Sequence, residues 1–215
     1  AHEIKNPLGG IRGAAQLLDR ELSDDDQREY TRVIIDEADR LRSLVDRMLG
    51  PNKALKIAPT NIHEILERVR TLIEAESKGR VRLRRDYDPS IPEFPGDKEQ
   101  LIQAFLNIAR NAMEAAFENE AASGRSATPT ITFRSRALRQ FTIGHRRHRL
   151  VCRVDIIDNG PGIPPELLQN IFYPMISGRA SGTGLGLSIT QSIIGQHRGL
   201  VECESEPGRT DFIIF

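Results

Sequence analysis

A histidine and an asparagine one helical turn apart stand at the start of the chain, in the run His2-Glu3-Ile4-Lys5-Asn6-Pro7. Apolar residues recur there at alternating spacings of four and three, which predicts one buried helix face: Ile4, Leu8, Ile11, Ala15, Leu18 and Leu22. His2 lies roughly 160° around the helix from Ile4, so its imidazole is predicted to face solvent on the side of Asn6. Pro7 cannot donate a backbone hydrogen bond and disturbs the turn beside the histidine. The imidazole could act as a nucleophile, although a lone exposed histidine usually has no such role.

Two more asparagines, Asn107 and Asn111, lie one turn apart on a predicted helix whose other face is apolar. Amide oxygens are hard ligands of the kind that Mg²⁺ accepts while it also binds phosphate oxygens. Either asparagine, and Asn107 more readily, could instead hydrogen-bond a neighbouring loop. The pair therefore indicates a Mg²⁺–nucleotide site, with a structural role for Asn107 as the alternative.

A carboxylate and two glycines follow an apolar strand pattern in the run Asp158-Asn159-Gly160-Pro161-Gly162. Asp158 could accept a hydrogen bond from the amino group of adenine. Gly160 and Gly162 would let the backbone pass close to the base. Taken alone, the segment is explained as well by an Asp-Asn turn.

A second glycine-rich run, Gly182-Thr183-Gly184-Leu185-Gly186, begins a predicted helix. Backbone amides at a helix start can bind phosphate oxygens. The run lacks the lysine of a P-loop, and no strand directly precedes it as a dinucleotide-binding fold requires. The loop from Pro164 to Thr183 has the composition of a lid over a bound nucleotide.

The elements that carry these residues form two predicted domains. Residues 1–50 are predicted to be a helical hairpin, because Ser23 can cap a second helix with its own apolar stripe: Ile34, Ala38, Leu41, Val45 and Met48. A short connection makes the two helices antiparallel neighbours. Their stripes are most simply buried against a second copy in a four-helix-bundle dimer, and packing on the rest of the same chain is the alternative.

Residues 51–60 are predicted to be a linker, and residues 61–215 a second domain. Helices and mostly antiparallel strands alternate in this domain: a helix capped by Asn61, a strand over 81–87, a loop over 89–96, a long helix opened by Asp97, strands over 130–136 and 150–157, a helix over 185–196, and strands over 200–204 and 210–215. The predicted fold class is α+β, with an α/β sandwich of one sheet under a helix layer.

Composition argues against several other functions. Basic and acidic residues number 30 each, so the net charge gives no support for nucleic-acid binding as the main role. The basic run over 136–149 is interpreted as a solvated hairpin, because no aromatic ladder interleaves its charges. Cys152 and Cys203 lack CxxC spacing and are predicted to be reduced packing residues in a cytoplasmic protein. No apolar run approaches the ~18 residues of a membrane span. The start inside a helix pattern suggests an input domain upstream.

Four segments, in this order and spacing, resemble the phospho-acceptor and ATP-binding boxes of bacterial two-component sensor histidine kinases: His-Glu-Ile-Lys-Asn-Pro, Asn-Ile-Ala-Arg-Asn-Ala-Met-Glu-Ala, Asp-Asn-Gly-Pro-Gly-Ile-Pro and Gly-Thr-Gly-Leu-Gly-Leu-Ser. The family implies a dimerisation and phosphotransfer hairpin followed by a Bergerat-type ATP-binding domain. By this resemblance His2 is the phospho-acceptor, and Glu3 orients its ring or takes its proton. Asn6 would position the water that hydrolyses the phospho-aspartate of the regulator.

The resemblance also implies the residues that bind ATP and Mg²⁺. Asn111 would hold Mg²⁺ with Asn107 in support, and Asp158 would recognise adenine beside Gly160 and Gly162. The remaining expected contacts lie in the lid and at the following helix start: Arg179, Thr183, Gly184, Leu185 and Gly186.

A narrower resemblance rests on the run from Phe172 to Arg179 and on the basic hairpin, which are similar to the nitrogen-regulation branch of these kinases. That branch is cytoplasmic, has an upstream PAS sensor domain, phosphorylates the regulator NtrC and is switched toward phosphatase action by the signal protein PII. Two other classes stay open: a chaperone- or topoisomerase-like ATPase, which would hydrolyse ATP without phosphohistidine, and a non-catalytic dimeric scaffold.

Overall fold

The chain divides into two units, Ala1–Asn52 and Lys53–Phe215, in a computed structural model that describes residues 2–22, 24–48, 55–122, 128–178 and 184–215. The division falls inside the predicted linker of residues 51–60. Residues 51–54 of that linker lie outside the described residues.

The first unit consists of two helices, α1 (His2–Glu21) and α2 (Asp25–Met48). Two side-chain contacts show that they are antiparallel: Arg12 Nε lies 2.9 Å from an oxygen of Asp39, and the Thr31 hydroxyl donates to Asp19 over 2.5 Å. A later residue of α1 thus meets an earlier residue of α2. The antiparallel helical hairpin predicted from the two apolar stripes is confirmed.

Among the described side chains of one copy, the hairpin buries only a narrow seam that includes Ala15 and Ala38. Seven large apolar side chains on its surface are exposed: Ile11, Leu17, Leu18, Tyr30, Val33, Ile34 and Leu41. Ile11, Leu18, Ile34 and Leu41 belong to the two predicted stripes. A single copy therefore leaves much of both stripes uncovered.

The second unit contains every strand that the described residues form. Its elements are, in chain order, β1 (Ala58–Thr60), α3 (Ile62–Ser77), β2 (Arg82–Asp86), β3 (Phe94–Gly96), α4 (Lys98–Ala122), β4 (Thr130–Ile143), β5 (Arg146–Asp158), α5 (Pro165–Leu168), α6 (Gly186–Gln196), β6 (Val201–Glu206) and β7 (Arg209–Ile214). The five-stranded sheet has the order β2-β4-β5-β7-β6. Only its β2–β4 pair is parallel, so the prediction of a mostly antiparallel sheet is confirmed.

A small second sheet corrects two predicted loops. Residues 58–60 of the predicted linker and residues 94–96 of the predicted loop pair as β1 and β3, with Pro59 opposite Pro95. A proline within a strand lacks the N–H that a ladder hydrogen bond requires. In an antiparallel ladder, however, every second pair makes no inter-strand hydrogen bonds, so two opposed prolines without N–H groups are tolerated.

The hairpin of β4 and β5 is longer than predicted. Pairing continues from Ile131↔Asp158 to Ile143↔Arg146, with a turn at Gly144 and His145. Gly144 has φ 58, the left-handed backbone that favours glycine in such turns. Most of the basic run therefore belongs to the paired strands. Its arginines interrupt the alternation of apolar and polar residues by which a strand is predicted from sequence. Arg146, Arg147 and Arg149 are exposed, as predicted for a solvated segment.

Helix α4 occupies the middle of the helix layer and packs against α3, α6 and the sheet. Its start is capped by Asp97, whose Oδ1 accepts from the Gln100 N–H over 3.1 Å. Asn61 caps α3 in the same way through the His63 N–H at 2.9 Å. The buried core lies between these helices and the sheet and includes Leu66, Phe105, Ile108, Phe133 and Ile156. The predicted α/β sandwich is confirmed, and its central helix α4 carries Asn107 and Asn111, of which Asn107 contacts α6.

Both cysteines are free and partly buried. Burial raises the pKa of the Cys152 and Cys203 thiols to about 12, which keeps them protonated and unreactive. This agrees with the prediction that they are packing residues. Among the described helices, none combines the length and the apolar character that crossing a bilayer requires.

Candidate functional site

The predicted phosphotransfer residues lie in the first two turns of α1. His2 and Glu3 are helical in their backbone, but their side chains lie outside the described residues. Asn6 is exposed, and Pro7 is inside the helix as expected. The outward orientation of His2 and the roles of Glu3 and Asn6 therefore stay predictions.

A side-chain hydrogen bond joins the long helix of the second unit to the glycine-rich helix start. Asn107 Nδ2 of α4 donates to the carbonyl oxygen of Gly186, the first residue of α6, over 3.2 Å. The Thr190 hydroxyl reinforces the junction by donating to the Ala104 carbonyl over 3.2 Å. The structural alternative considered for Asn107 is thus realised, and the contact brings two of the predicted binding segments together.

The two asparagines still have amide oxygens available for a ligand. Both side chains are half-buried, and neither Asn107 Oδ1 nor the Asn111 amide has a partner within the part of the chain that the structure describes. No group of three or more His, Cys, Asp or Glu side chains among those residues could hold a metal. The donor set here matches Mg²⁺ held by few protein oxygens together with phosphate oxygens and water.

Asp158 ends β5 and is almost fully buried, at 3% exposure. Its Oδ1 accepts the Gly160 N–H over 2.8 Å, so the Asp-Asn turn expected from sequence is present and fixes the carboxylate. A Cβ added to Gly160 would lie 2.7 Å from the Cβ of Ala115, which is one turn beyond Asn111 on α4. The turn therefore runs directly against the helix that carries the asparagines.

Gly162 has a packing role that sequence reasoning did not anticipate. Its φ is 88, and an added Cβ would lie 2.8 Å from the carbonyl oxygen of Glu206 in the turn between β6 and β7. The Gly160 carbonyl accepts from the Gly208 N–H over 3.0 Å in the same region. The need for glycine at 162 is explained by this close approach of two turns.

The start of α6 has properties of an anion-binding site. Leu185 occupies the N-cap position and makes no side-chain cap, so the first amides of the helix have no such partner. Leu185 is itself buried, at 1% exposure, so we expect a ligand to meet the amides that follow it in α6. Gly184 has φ 63, and a Cβ there would lie 2.6 Å from the carbonyl carbon of Met175. The backbone of the preceding segment thus packs against the glycine run.

Two of the predicted contacts, Arg179 and Thr183, lie outside the described residues. Two residues that prediction missed hold the turn after β5 in place: the Asn119 side chain donates to the Asn159 carbonyl over 2.6 Å, and Asn159 Oδ1 accepts the Thr130 N–H over 2.9 Å. Asn159 could have been found from its place in the Asp-Asn turn. Asn119 had no signal in the sequence.

The described geometry therefore gathers residues from three distant parts of the sequence in the second unit. Asn107, Asn111, Asp158, Gly160 and Gly186 surround the meeting point of α4, the end of β5 and the start of α6. Amide oxygens, a fixed carboxylate and uncapped helix amides are the groups that bind the metal, base and phosphates of a nucleotide.

Comparison with known families supports this reading of both units. Residues 96–215 match the family described as histidine kinase-, DNA gyrase B-, and HSP90-like ATPase. Residues 1–54 match the His Kinase A (phospho-acceptor) domain. The sensory histidine kinase/phosphatase NtrB of Vibrio alginolyticus is 54% identical over the whole chain, which spans 59% of that protein's length. The predicted resemblance to sensor histidine kinases and their nitrogen-regulation branch is confirmed.

Two solved structures are similar to nearly the whole chain. Full-length ShkA in complex with AMPPNP has 25% identity and a TM-score of 0.64, and the match covers 99% of this chain and 43% of that one. Histidine kinase ThkA in complex with the response regulator protein TrrA has 26% identity and a TM-score of 0.61, covering 100% of this chain and 58% of that one.

Proposed function

Because this chain belongs to the histidine kinase-, DNA gyrase B-, and HSP90-like ATPase family, we propose that it binds ATP, phosphorylates His2 and passes the phosphoryl group to an aspartate of a response regulator. The observation that carries the proposal is the junction where Asn107 reaches Gly186 at the uncapped start of α6. The phospho-acceptor match over residues 1–54 supports a histidine as the acceptor.

In this proposal the neutral imidazole of His2 attacks the γ-phosphorus of ATP in line. The bond between that phosphorus and the bridging oxygen breaks, and ADP leaves. Glu3 orients the other ring nitrogen or takes its proton, which makes the ring more nucleophilic. His2 must therefore be unprotonated before the reaction.

The second unit binds and orients the nucleotide. Asp158, fixed by the Gly160 N–H, accepts from the amino group of adenine. Backbone amides around Gly184 and Gly186 bind phosphate oxygens, and Arg179 and Thr183 contribute from the lid. Asn111, supported by Asn107, would hold Mg²⁺, which when bound offsets the phosphate charge.

The proposal assigns the phosphatase activity, which removes the phosphoryl group from the regulator, to the first unit. Asn6, exposed one turn beyond His2, positions a water for hydrolysis of the regulator's phospho-aspartate. The relative named as a kinase/phosphatase supports this bifunctional assignment. His2 is not needed covalently for this hydrolysis.

The proposal includes the partners and the setting. A second copy covers the exposed stripes of α1 and α2, since a hairpin with two uncovered apolar faces is stable as half of a four-helix bundle. The receiver domain of an NtrC-like regulator accepts the phosphoryl group, and the ThkA–TrrA complex supports a partner of this kind. The signal protein PII, a role in nitrogen regulation and a cytoplasmic location are proposed from the resemblance to NtrB.

A chaperone- or topoisomerase-like ATPase is the second candidate, because the matching family includes both. The phospho-acceptor match argues against it. Incubation with ATP labelled at the γ-phosphate separates the two. The kinase proposal expects label on the chain that is labile to acid, stable to alkali and transferred to a receiver domain. Steady release of phosphate from ATP without protein-bound label would instead support the second candidate.

A further inference from the structure

A cavity lies in the second unit at the end of the helix layer away from Asn111 and Asp158. Its volume is about 290 Å³. The walls come from the starts of α3 and α4, strand β3, the end of α6, the β4–β5 hairpin and the end of β7. Strand β5 runs from this cavity, which Cys152 lines, to Asp158 at the candidate nucleotide site. None of the residues assigned to nucleotide binding lines it.

The floor of this cavity is apolar. Leu101, Phe105 and Val154 line it, and each is at most 3% exposed. Among the described residues that line the cavity, none is an aspartate or a glutamate. The interior is therefore suited to a hydrocarbon or aromatic group and does not repel an anion.

Cationic and imidazole groups stand at the more exposed part of the wall. Arg198 is exposed and His148 is half-buried. Within the described parts of the chain, neither side chain has a hydrogen bond or an ion pair. Arg198 has φ 63, a backbone region that favours glycine or asparagine. An arginine at this position is therefore not explained by local backbone preference.

The neighbouring histidine has a different role, because it holds the wall in place. His197 Nε2 accepts the Asp97 N–H over 2.9 Å, and Nδ1 lies 2.8 Å from the Ile193 carbonyl, to which it donates in the neutral ring. These bonds join the end of α6 to the start of α4. The cavity is therefore bounded by hydrogen-bonded elements and is formed without a ligand.

We propose that this cavity binds a small amphiphilic carboxylate, with its apolar body on the floor and its carboxylate beside Arg198 and His148. A volume of about 290 Å³ has room for about ten water-sized groups, which limits the ligand to a medium-chain or single-ring acid. A neutral ligand would leave the guanidinium unused, and a strongly polar one would not match the floor. The proposal does not depend on the kinase assignment.

The test is a titration of the full chain, labelled at its isoleucine and leucine methyl groups, with sodium octanoate. Methyl signals of Ile143, Ile194 and Ile214, which line the cavity, are expected to shift saturably in about the millimolar range for a ligand of this size. Signals of Ile73 and Ile131, buried elsewhere in the core, are expected not to move. Absence of saturable shifts at the cavity up to roughly 10 mM would overturn the proposal.

Two comparisons test the roles of the tail and the charge. Octanol, with the tail alone, and acetate, with the charge alone, are expected to bind at least about tenfold more weakly than octanoate. Arg198→Gln keeps most of the side chain and should weaken octanoate binding about tenfold, and Arg198→Lys should restore much of it. Arg147→Gln is the matched control, because Arg147 is exposed and lies on the face of the hairpin opposite to the cavity residue His148. Equal binding of octanol and octanoate, or no effect of Arg198→Gln, would refute the assignment.

Discussion

Asn107 and Asn111 are one turn apart on α4, yet the structure uses them differently. Asn107 donates to Gly186 and ties α4 to α6. Asn111 is half-buried and has no partner among the described residues. Its amide oxygen is therefore available to the Mg²⁺ of the proposed site.

Asn111→Ala is therefore expected to remove the Mg²⁺-dependent part of the ATP affinity, at least about tenfold. The helix should persist, because alanine has the higher helix propensity. Titration calorimetry with and without Mg²⁺ measures the effect. Gln103→Ala, an exposed site on the same helix, serves as the control and should leave the affinity unchanged. Equal affinities for the Asn111 variant and the parent would remove Asn111 from the site.

His2→Ala is expected to abolish the acid-labile label that γ-labelled ATP places on the chain. The ATP affinity should stay within about twofold of the parent, because the residues proposed to bind ATP lie in the other unit. His145→Ala, in the exposed turn of the β4–β5 hairpin, should leave the labelling intact. Label retained on the His2 variant would show that another residue is the acceptor.

Asp211 and Asp86 lie on the face of the sheet that points away from the helix layer. Their surroundings shift their pKa values in opposite directions. Burial, reinforced by repulsion from Asp155, raises the pKa of Asp211 above its ordinary value of 3.8. One oxygen of each of these carboxylates, Asp211 Oδ1 and Asp155 Oδ2, is buried without a hydrogen-bond partner. Hydrogen bonds from Arg136 and then Arg134 lower the pKa of Asp86. Protonation therefore favours the folded state at Asp211 and opposes it at Asp86.

Asp211→Asn is expected to raise the thermal unfolding midpoint at pH 7, by about 2 °C for a chain of this size. Asp211 contributes fully to stability below pH 3.8, and that contribution is lost as the pH rises through its raised folded pKa. The gain should therefore shrink as the pH falls toward that range. Asp86→Asn should have the opposite sign at pH 7, with its loss fading as the pH falls through its lowered folded pKa. The same sign for both variants would contradict the assignment.

At the scale of elements, the start of α6 depends on a close backbone contact. Gly184 has no room for a side chain beside Met175 and Ile176, and its carbonyl accepts the Met175 N–H over 3.0 Å. Gly195, near the other end of the same helix, has nothing within 4 Å of an added Cβ. The same substitution is therefore expected to act differently at the two ends.

Gly184→Ala should weaken ATP binding about tenfold while the core of the second unit stays folded, because the clash displaces the segment before α6. Gly195→Ala should leave ATP binding unchanged and raise the unfolding midpoint by about 2 °C, since alanine is the better helix former. Fluorescence titration with a labelled nucleotide and thermal unfolding measure the two effects. An unchanged affinity for Gly184→Ala would argue against phosphate binding at this helix start.

At the scale of the whole molecule, the first unit is expected to be half of a dimer. Ile34 is 44% exposed, so Ile34→Glu should be tolerated in the hairpin but not in a second-copy interface, where it would bury a charge. Light scattering should show a dimer for the parent and a shift to monomer for this variant. Asp36→Lys, exposed on the opposite side of α2, should remain dimeric. A monomeric parent chain would contradict the proposed bundle.

The sequence by itself determined the family, most of the helices and strands, and the residues proposed for the site. Apolar spacing predicted both helices of the hairpin, the long helix α4 and the closing strands, because periodicity reports which face of an element is buried. Four short motifs in order were enough to name the family and to pick out Asn107, Asn111 and Asp158. Periodicity and motifs depend on residues that are close together in the sequence, so the sequence alone is enough to identify them.

Tertiary structure decided what depends on residues far apart in the chain. Pro59 and Pro95 are strand residues because they lie opposite each other, at a position where the antiparallel ladder requires no N–H donor. Gly162 needed to be glycine because the β6–β7 turn lies against it, and Asn119 mattered because it reaches Asn159. The cavity beside Arg198 is lined by residues from three helices, α3, α4 and α6, and four strands, β3, β4, β5 and β7. Such contacts form only when the sheet and the helices pack together, so local sequence patterns do not predict them.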